Sequence, residues 1–436
     1  MLRMIFVLLL IGVGMFYSAF GAFYALLFYL WNAYFRPDEW TYGPYVQMMN
    51  LSYIIGTYLV IRTIFSLPDP KLNPRTGLII LFAAQSVIST VTSEHPAWSQ
   101  AFLIDFSKVL LISYLMVVLL DDRRKFRMAL LVIALSLGFE CAKQGWVNLY
   151  RAPGARNDNR VAFLGDNNGV ALGTMMLIPI LSALAQTAVS KWERRLHYFL
   201  AIGVFLRGIS TYSRGGFLSA GVLGVLTFLR SRKKLRTLVV VGAASIMVLS
   251  VMPTNYWARI DTITIETDEE RDASAAGRLH FWNVAIVMAT EKPATGVGLN
   301  AFSSSYNSYN TDPRFGGERA AHSTWFGVLG DLGYPGLILL VANIAIAILS
   351  CWRVARLTRD DPEKRELGLY ANALLTSLIV FSVGGTFLSN QYNEMFWHFV
   401  GLSAALHAIT VRELATAKAV VPATRMGVRQ PLPALR

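Results

Sequence analysis

Three short motifs hold the residue types best suited to chemistry: Arg214 in STYSRGG (210–216), Arg278 in AAGRLHFW (275–282) and His322 in AAHSTW (320–325). Two arginines present planar forks that can clamp a diphosphate by charge-assisted hydrogen bonds and hold it as it leaves. A histidine beside two cations resists protonation, because a second positive charge is disfavoured. A neutral imidazole can accept a proton from a hydroxyl. A diphosphate clamp with a general base is what glycosyl transfer from a lipid-diphosphate sugar to an alcohol requires. Taken alone, a histidine in this place would more often cap or pack than do chemistry; its company with two arginines is what argues for chemistry.

The motifs of Arg278 and His322 lie in the one long polar stretch of the chain, Arg259 to Ser323, whereas that of Arg214 is a hinge between two earlier apolar runs. The polar stretch also holds Arg271, Arg314, Arg319, His280 and the acidic run Asp268, Glu269, Glu270. A loop this long between apolar runs is rarely a mere connector, and chemistry tends to sit on loops held by a rigid scaffold. His280, two residues from Arg278, and Arg319 join the candidate substrate-binding set. A second loop, 144–166, carries Arg151, Arg156 and Arg160. They read either as partners of Asp158 and Asp166 or as an anion-binding surface. Arg207 has no acid on its own helix. Arg214 lies seven residues on, two turns along the same face, so the pair would draw an anion toward the outer half of the bundle. The alternative for Arg207 is a carboxylate on another span. Asp105 with Lys108 and Glu140 with Lys143 stand at i, i+3 and read as ion pairs on helix faces.

The remaining chemistry is thin. The sequence has no DxD motif, no paired outer carboxylates and no His/Cys/carboxylate cluster at metal-ligand spacing, so neither metal nor cofactor is expected. It also lacks GxSxG, which disfavours serine hydrolysis. His95, His197, His398 and His407 read as structural. Cys141 and Cys351 lie in or beside spans far apart and read as packing residues, not a disulfide or metal pair.

The elements that position these residues follow from composition. The chain has 436 residues, 54% hydrophobic and 15% charged, against about a quarter charged in a soluble protein. Apolar runs long enough to cross about 30 Å of hydrocarbon recur throughout. The alternating short segments of an outer-membrane barrel are missing. The fold class is therefore all-α, a polytopic membrane protein of about 12 transmembrane helices with one long outer loop domain containing short helices. The spans read as 4–34, 44–67, 77–94, 99–121, 125–143, 167–188, 196–211, 215–230, 236–253, 324–350, 367–388 and 394–412. Thus 1–253 carries nine helices, 254–323 is the loop domain, 324–412 carries three more, and 413–436 is a basic tail.

The net charge of +13 is explained by lysine and arginine at cytoplasmic helix ends, not by nucleic acid. Charge clusters at 121–125, 191–195, 230–236 and 353–365, with the tail, mark the cytoplasmic side. Alternation then puts both termini in the cytoplasm and Arg214, Arg278 and His322 together outside. The first segment is too long for one straight span. It must tilt, break near Gly12, Gly14 or Gly21, or form two short helices. MLRM and the apolar run to Phe35 exceed a signal-peptide core, so this segment is expected to be retained. The internal repeat of many transporters is missing, which disfavours an anionic-solute transporter.

STYSRGGFLSAGVL, GRLHFWNVAIVMATEKPATGVGLNAF and HSTWFGVLGDLGYPGLILL, in that order, resemble the O-antigen ligase superfamily. GDNNGVALGTMMLIPI before them is similar to that family's asparagine-containing span start, which brings in Asn167. The N-terminal half, with RPDEWTYG, is similar to the exosortase-associated O-glycosylation ligase branch. The resemblance implies a twelve-span inner-membrane enzyme of Gram-negative bacteria with its site facing the periplasm. It implies metal-independent, inverting transfer of a finished glycan from undecaprenyl diphosphate to a sugar hydroxyl of lipid A–core. Arg214 and Arg278 would bind the diphosphate and His322 would be the base. The partners would be the lipid-linked donor, the lipid A–core acceptor and membrane lipids, with no nucleic acid. An O-antigen polymerase, or a ligase acting on protein or exopolysaccharide, would share the same donor chemistry.

Overall fold

A chain this apolar must satisfy its backbone hydrogen bonds internally, and the helix does so within each segment. The computed structural model describes residues 2–41, 45–66, 68–151, 161–231, 233–251 and 268–420, and these are almost wholly helical. Six helices among them are long and apolar enough to cross a membrane: Val46–Ser66, Pro74–Val91, Pro96–Leu119, Asn167–Gln186, Thr324–Leu357 and Pro362–Phe387. Arg3–Ser18, Ala22–Phe35 and Gly215–Arg230 are apolar but shorter. Large apolar side chains such as Phe16, Phe65, Val91, Leu229 and Ile338 face outward, as lipid contact requires.

The first apolar segment is two helices, Leu2–Ser18 and Ala22–Phe35, broken at Gly21. They fold back on one another, since any side chain at Gly14 would strike the Phe28 ring. The expected pairs form: Lys108 Nζ lies 2.7 Å from Asp105, and Lys143 Nζ lies 2.7 Å from Glu140. Cys141 and Cys351 are buried free thiols.

Asn167–Gln186 is the most enclosed helix, packed by Lys191–Ile209, Arg214–Arg230, Arg123–Arg151 and Arg365–Gly384. Small residues permit this close packing, as membrane helices favour. A Cβ at Gly216 would lie 2.6 Å from that of Ala171. Charged contacts gather at one end of the bundle, where Arg127 pairs with Glu193 and Arg123 with Glu413. The opposite end gathers the starts of Asn167–Gln186, Arg214–Arg230 and Thr324–Leu357, tied by the contacts Asn168–Ser213 and Thr324–Leu388.

The helix Thr324–Leu357 is not continuous. Gly333 takes φ 67° and ψ −168°, and Pro335 follows two residues later. A Cβ at Gly333 would sit 2.6 Å from the Pro293 carbonyl, so both conformation and space demand glycine. The break frees carbonyls that need partners. The segment 293–300 supplies some: Val297 N donates to Gly330 O at 2.9 Å and Gly298 N to Asp331 O at 3.1 Å. Its Pro293 carbonyl accepts from Tyr334 N at 3.0 Å. The helix Pro74–Val91 adds Gln85 Nε2 to Leu332 O at 2.9 Å and Ser89 Oγ to Asp331 O at 2.8 Å. The Asp331 carboxylate, buried, accepts from Phe302 N at 2.8 Å and Tyr392 OH at 2.9 Å. A carboxylate inside an apolar helix is tolerable only with such donors.

The loop domain, expected to contain short helices, holds the long helix Asp268–Glu291. With Phe302–Tyr309 it builds a small core of its own around Phe281, Met288, Phe302 and Tyr306. Each such side chain buried contributes about 1.5–3 kcal/mol.

Candidate active site

Arg278, Phe281 and Trp282 stand at i, i+3 and i+4 and so share one helix face. Trp282 stacks on Phe326 with ring centroids 4.9 Å apart. Its Nε1 donates to the Ala321 carbonyl at 3.1 Å. Those two contacts fix residue 321, and therefore His322, against the helix that carries Arg278. His322 has φ 48°, a strained left-handed conformation for a non-glycine residue. The Phe281 ring lies 6.1 Å from its imidazole.

Arg278, Arg319 and His322 line one cleft of about 370 Å³, together with Asn168, Phe315 and Leu388. Asn168 is held there by two linked helix caps. Asp166 caps its helix by accepting from Gly169 N at 2.8 Å. Ser213 caps the next by accepting from Gly216 N at 3.2 Å, and donates to Asn168 Oδ1 at 2.8 Å. Thr324 Oγ1, at the third helix start, donates to Leu388 O at 2.7 Å. Three helix N-termini thus meet at this end of the bundle, each a partial positive charge. With two guanidinium groups, the cleft suits a multiply charged anion.

The same charges act on His322. Loss of hydration in the cleft wall lowers its pKa below the ordinary 6.5; Arg278 and Arg319 lower it further, against an opposing pull from Asp166. The imidazole is therefore neutral at physiological pH and able to take a proton. Asp312, a rival base, is held down at about 2 by its hydrogen bonds to Arg314, which makes it a poor proton acceptor.

Comparison with known families adds the decisive observation. Residues 198–341, which include Arg278, His322 and the backbone of Arg214, match the family model described as O-antigen ligase. That match places residues 198–341 in the O-antigen ligase family. Residues 1–192 match a family of unknown function, DUF5935. No curated protein matches the chain. The O-antigen ligase match, with the long apolar helices, indicates a multi-pass membrane protein and supports glycan transfer of the ligase or polymerase type.

The other sequence candidates fall in several places. Arg214 opens the helix Arg214–Arg230 beside the cleft, since its neighbour Ser213 bonds Asn168; its side chain lies outside the described part. Asn168 lines the cleft, whereas Asn167 stands one residue before it at the helix start. Arg207 is fully buried near the end of Lys191–Ile209 and does not line the cleft. The chain turns at Tyr212, φ 53°, so Arg207 and Arg214 lie on different helices and share no face. His280 supports the cleft from behind: it stacks on Phe315 at 4.9 Å, and its Nε2 is 2.7 Å from Asn310 Oδ1. Arg151 ends its helix, with its side chain outside the described part, while Arg156 and Arg160 lie outside the described residues. Sequence reasoning missed Asn168, although the N-cap pattern Asp166-x-x-Gly169 could have pointed to the residue two past the cap. Among the described residues no group of three His, Cys, Asp or Glu side chains is arranged to hold a metal ion.

Proposed function

We propose that the protein transfers a preassembled glycan from undecaprenyl diphosphate to a sugar hydroxyl of lipid A–core at the periplasmic face of the inner membrane. Arg214 and Arg278, with Arg319 at the rim, hold the diphosphate, and His322 is the general base. The acceptor oxygen attacks the anomeric carbon on the face opposite the diphosphate. A carbon–oxygen bond forms there as the bond to the diphosphate oxygen breaks. The hydroxyl proton passes to His322, and undecaprenyl diphosphate leaves with its charge met by guanidinium groups and helix N-termini. A single displacement inverts the anomeric centre.

The observation that carries this reading is one cleft holding Arg278, Arg319 and a histidine whose pKa is lowered. An apolar groove of about 600 Å³ supports the lipid-linked donor. It runs along the helix that Arg214 opens, from Phe217 to Thr227, with Pro179 and Val241 on its sides. The ten helical steps from Phe217 to Thr227 span about 15 Å. A polyisoprenyl chain whose diphosphate sat at the helix start would lie along this groove.

The test is transfer by the purified protein from an undecaprenyl-diphosphate-linked glycan to lipid A–core, followed by rescue of smooth lipopolysaccharide in a ligase-null strain. Transfer with rescue is the expected result. Elongation of the lipid-linked glycan without transfer to core would replace ligase by polymerase.

A further inference from the structure

Behind the cationic cleft lies a second one, of about 260 Å³, with a different lining. Apart from Asp331 its polar groups are uncharged, among them Asn300, Ser303, Asn390, Gln391 and Asn393. Phe102 and Tyr392 supply ring faces and edges, their centroids 5.2 Å apart. The one acid in the wall, Asp331, is already engaged by Phe302 N and Tyr392 OH, and no lysine or arginine takes part in the lining. Amides and hydroxyls that both donate and accept, set beside aromatic surface, match the alternating hydroxyls and C–H faces of a neutral sugar.

The lining carries a second sign of a ligand. Gln391 is only 6% exposed, and its Oε1 has no hydrogen-bond partner. Its Nε2 faces Asp331 Oδ2 at 3.4 Å, the same oxygen that accepts from Tyr392 OH. The amide is thereby oriented with its acceptor unanswered. A buried acceptor left without a donor costs about 1–3 kcal/mol, so a ligand hydroxyl that donates to it would recover that loss. Gly327 gives the amide its room, since a Cβ there would lie 2.6 Å from Gln391 Nε2.

The two clefts share walls. Ala321 lines the second and His322 the first; Ser389 lines the second and Leu388 the first. Thr324 Oγ1 pins both strips together, donating to Leu388 O at 2.7 Å and accepting from Asn390 N at 3.2 Å. Resting on the transfer reaction above, we propose that the second cleft seats the acceptor saccharide, a neutral sugar held through its hydroxyls, on the far side of the peptide strip that carries His322. Donor and acceptor then approach the imidazole from opposite sides. The acceptor hydroxyl gives its proton to His322 as its oxygen bonds to the anomeric carbon and the diphosphate departs.

The test uses the full chain in detergent, with an undecaprenyl-diphosphate-linked glycan and lipid A–core. Ser303→Ala and Asn390→Ala are expected to raise the acceptor KM about tenfold, the loss of one hydrogen bond of roughly 1.4 kcal/mol. The donor KM and kcat at saturating acceptor should stay within about twofold. Ser303→Trp, which fills the cleft, should abolish saturation by acceptor. It should also abolish saturation-transfer NMR signals from core oligosaccharide freed of lipid A, a readout that needs no turnover. A rise in donor KM instead would assign the cleft to the donor glycan and overturn the proposal. Unchanged acceptor KM in all three variants would overturn it too. A wild-type protein that transfers nothing to core, yet binds the oligosaccharide in this cleft, would sink the ligase reading and leave the saccharide site standing.

Discussion

Replacing His322 by alanine is expected to lower kcat by about 10²–10⁴-fold, the contribution of a positioned acid–base group. At 1.36 kcal/mol per decade this is about 2.7–5.4 kcal/mol of transition-state stabilisation. Donor affinity should be nearly unchanged, because Arg278, Arg319 and the helix N-termini remain. The pH profile separates a base from a binding residue. A base must be neutral, so activity falls as pH drops through its pKa. In the free enzyme that pKa lies below 6.5, depressed by lost hydration and then by Arg278, so kcat/KM should hold until the pH is below that value. A bound diphosphate brings negative charge and raises the pKa. The kcat profile, which reports the complex, should therefore fall at higher pH than kcat/KM does. Arg278→Gln removes one of the depressing charges and should move the kcat/KM limb upward. The assay is initial rate against pH with labelled donor, at low and saturating concentrations. A folded His322→Ala protein that keeps the acid limb and loses donor binding would refute the assignment. The base would then be sought at Asp166 or Glu318, since Asp312 is held at about 2 by Arg314.

Arg214→Lys should be nearly as damaging to transfer as Arg214→Ala, because lysine keeps the charge but not the bidentate fork; near-normal transfer by the lysine variant would remove the clamp from this position. EDTA should leave the transfer rate unchanged, there being no metal-ligand spacing in the sequence; inactivation reversed by one particular divalent ion would overturn this. Gly333→Ala should lower stability by about 1–3 kcal/mol, since φ 67° is strained for any side chain and the Pro293 carbonyl occupies the space. It is read as a lower Tm in detergent; an unchanged Tm would mean that the break is soft.

Hydropathy and charge made the all-helical membrane fold legible, because an apolar segment in lipid has few options besides a helix. The same background marked the residues of the candidate site. In a chain with 15% charged residues, an arginine or histidine beside a glycine-rich turn stands out, and Arg278, Arg319 and His322 do share one cleft. What failed was register at the turns. Asn167 and Asn168 are equivalent by type, and only the Asp166 cap and the Ser213 hydrogen bond decide which of them reaches the cleft. Arg207 and Arg214 look like one helix face until the backbone turns at Tyr212.

The break at Gly333 was hidden for a different reason. GDLGYPGLILL is apolar enough to read as one continuous span, and the groups that satisfy the break lie far away in sequence. Gln85 reaches Leu332 across 247 residues and Ser89 reaches Asp331 across 242. Yet the break shapes the site. It shortens the helix that follows His322 to a single segment ending near Asp331, and that segment is held at both ends: by Trp282 and Thr324 at its start, and by Gln85, Ser89 and the strip 293–300 at its end. A rigid short helix clamped this way keeps His322 in its strained φ and fixes its N-terminus toward the cationic cleft. The loop helix bearing Arg278 is tied to the same clamp through Trp282 and Phe326. The spacing between His322 and Arg278 is therefore set by contacts among distant segments of the chain, and no local sequence pattern encodes it.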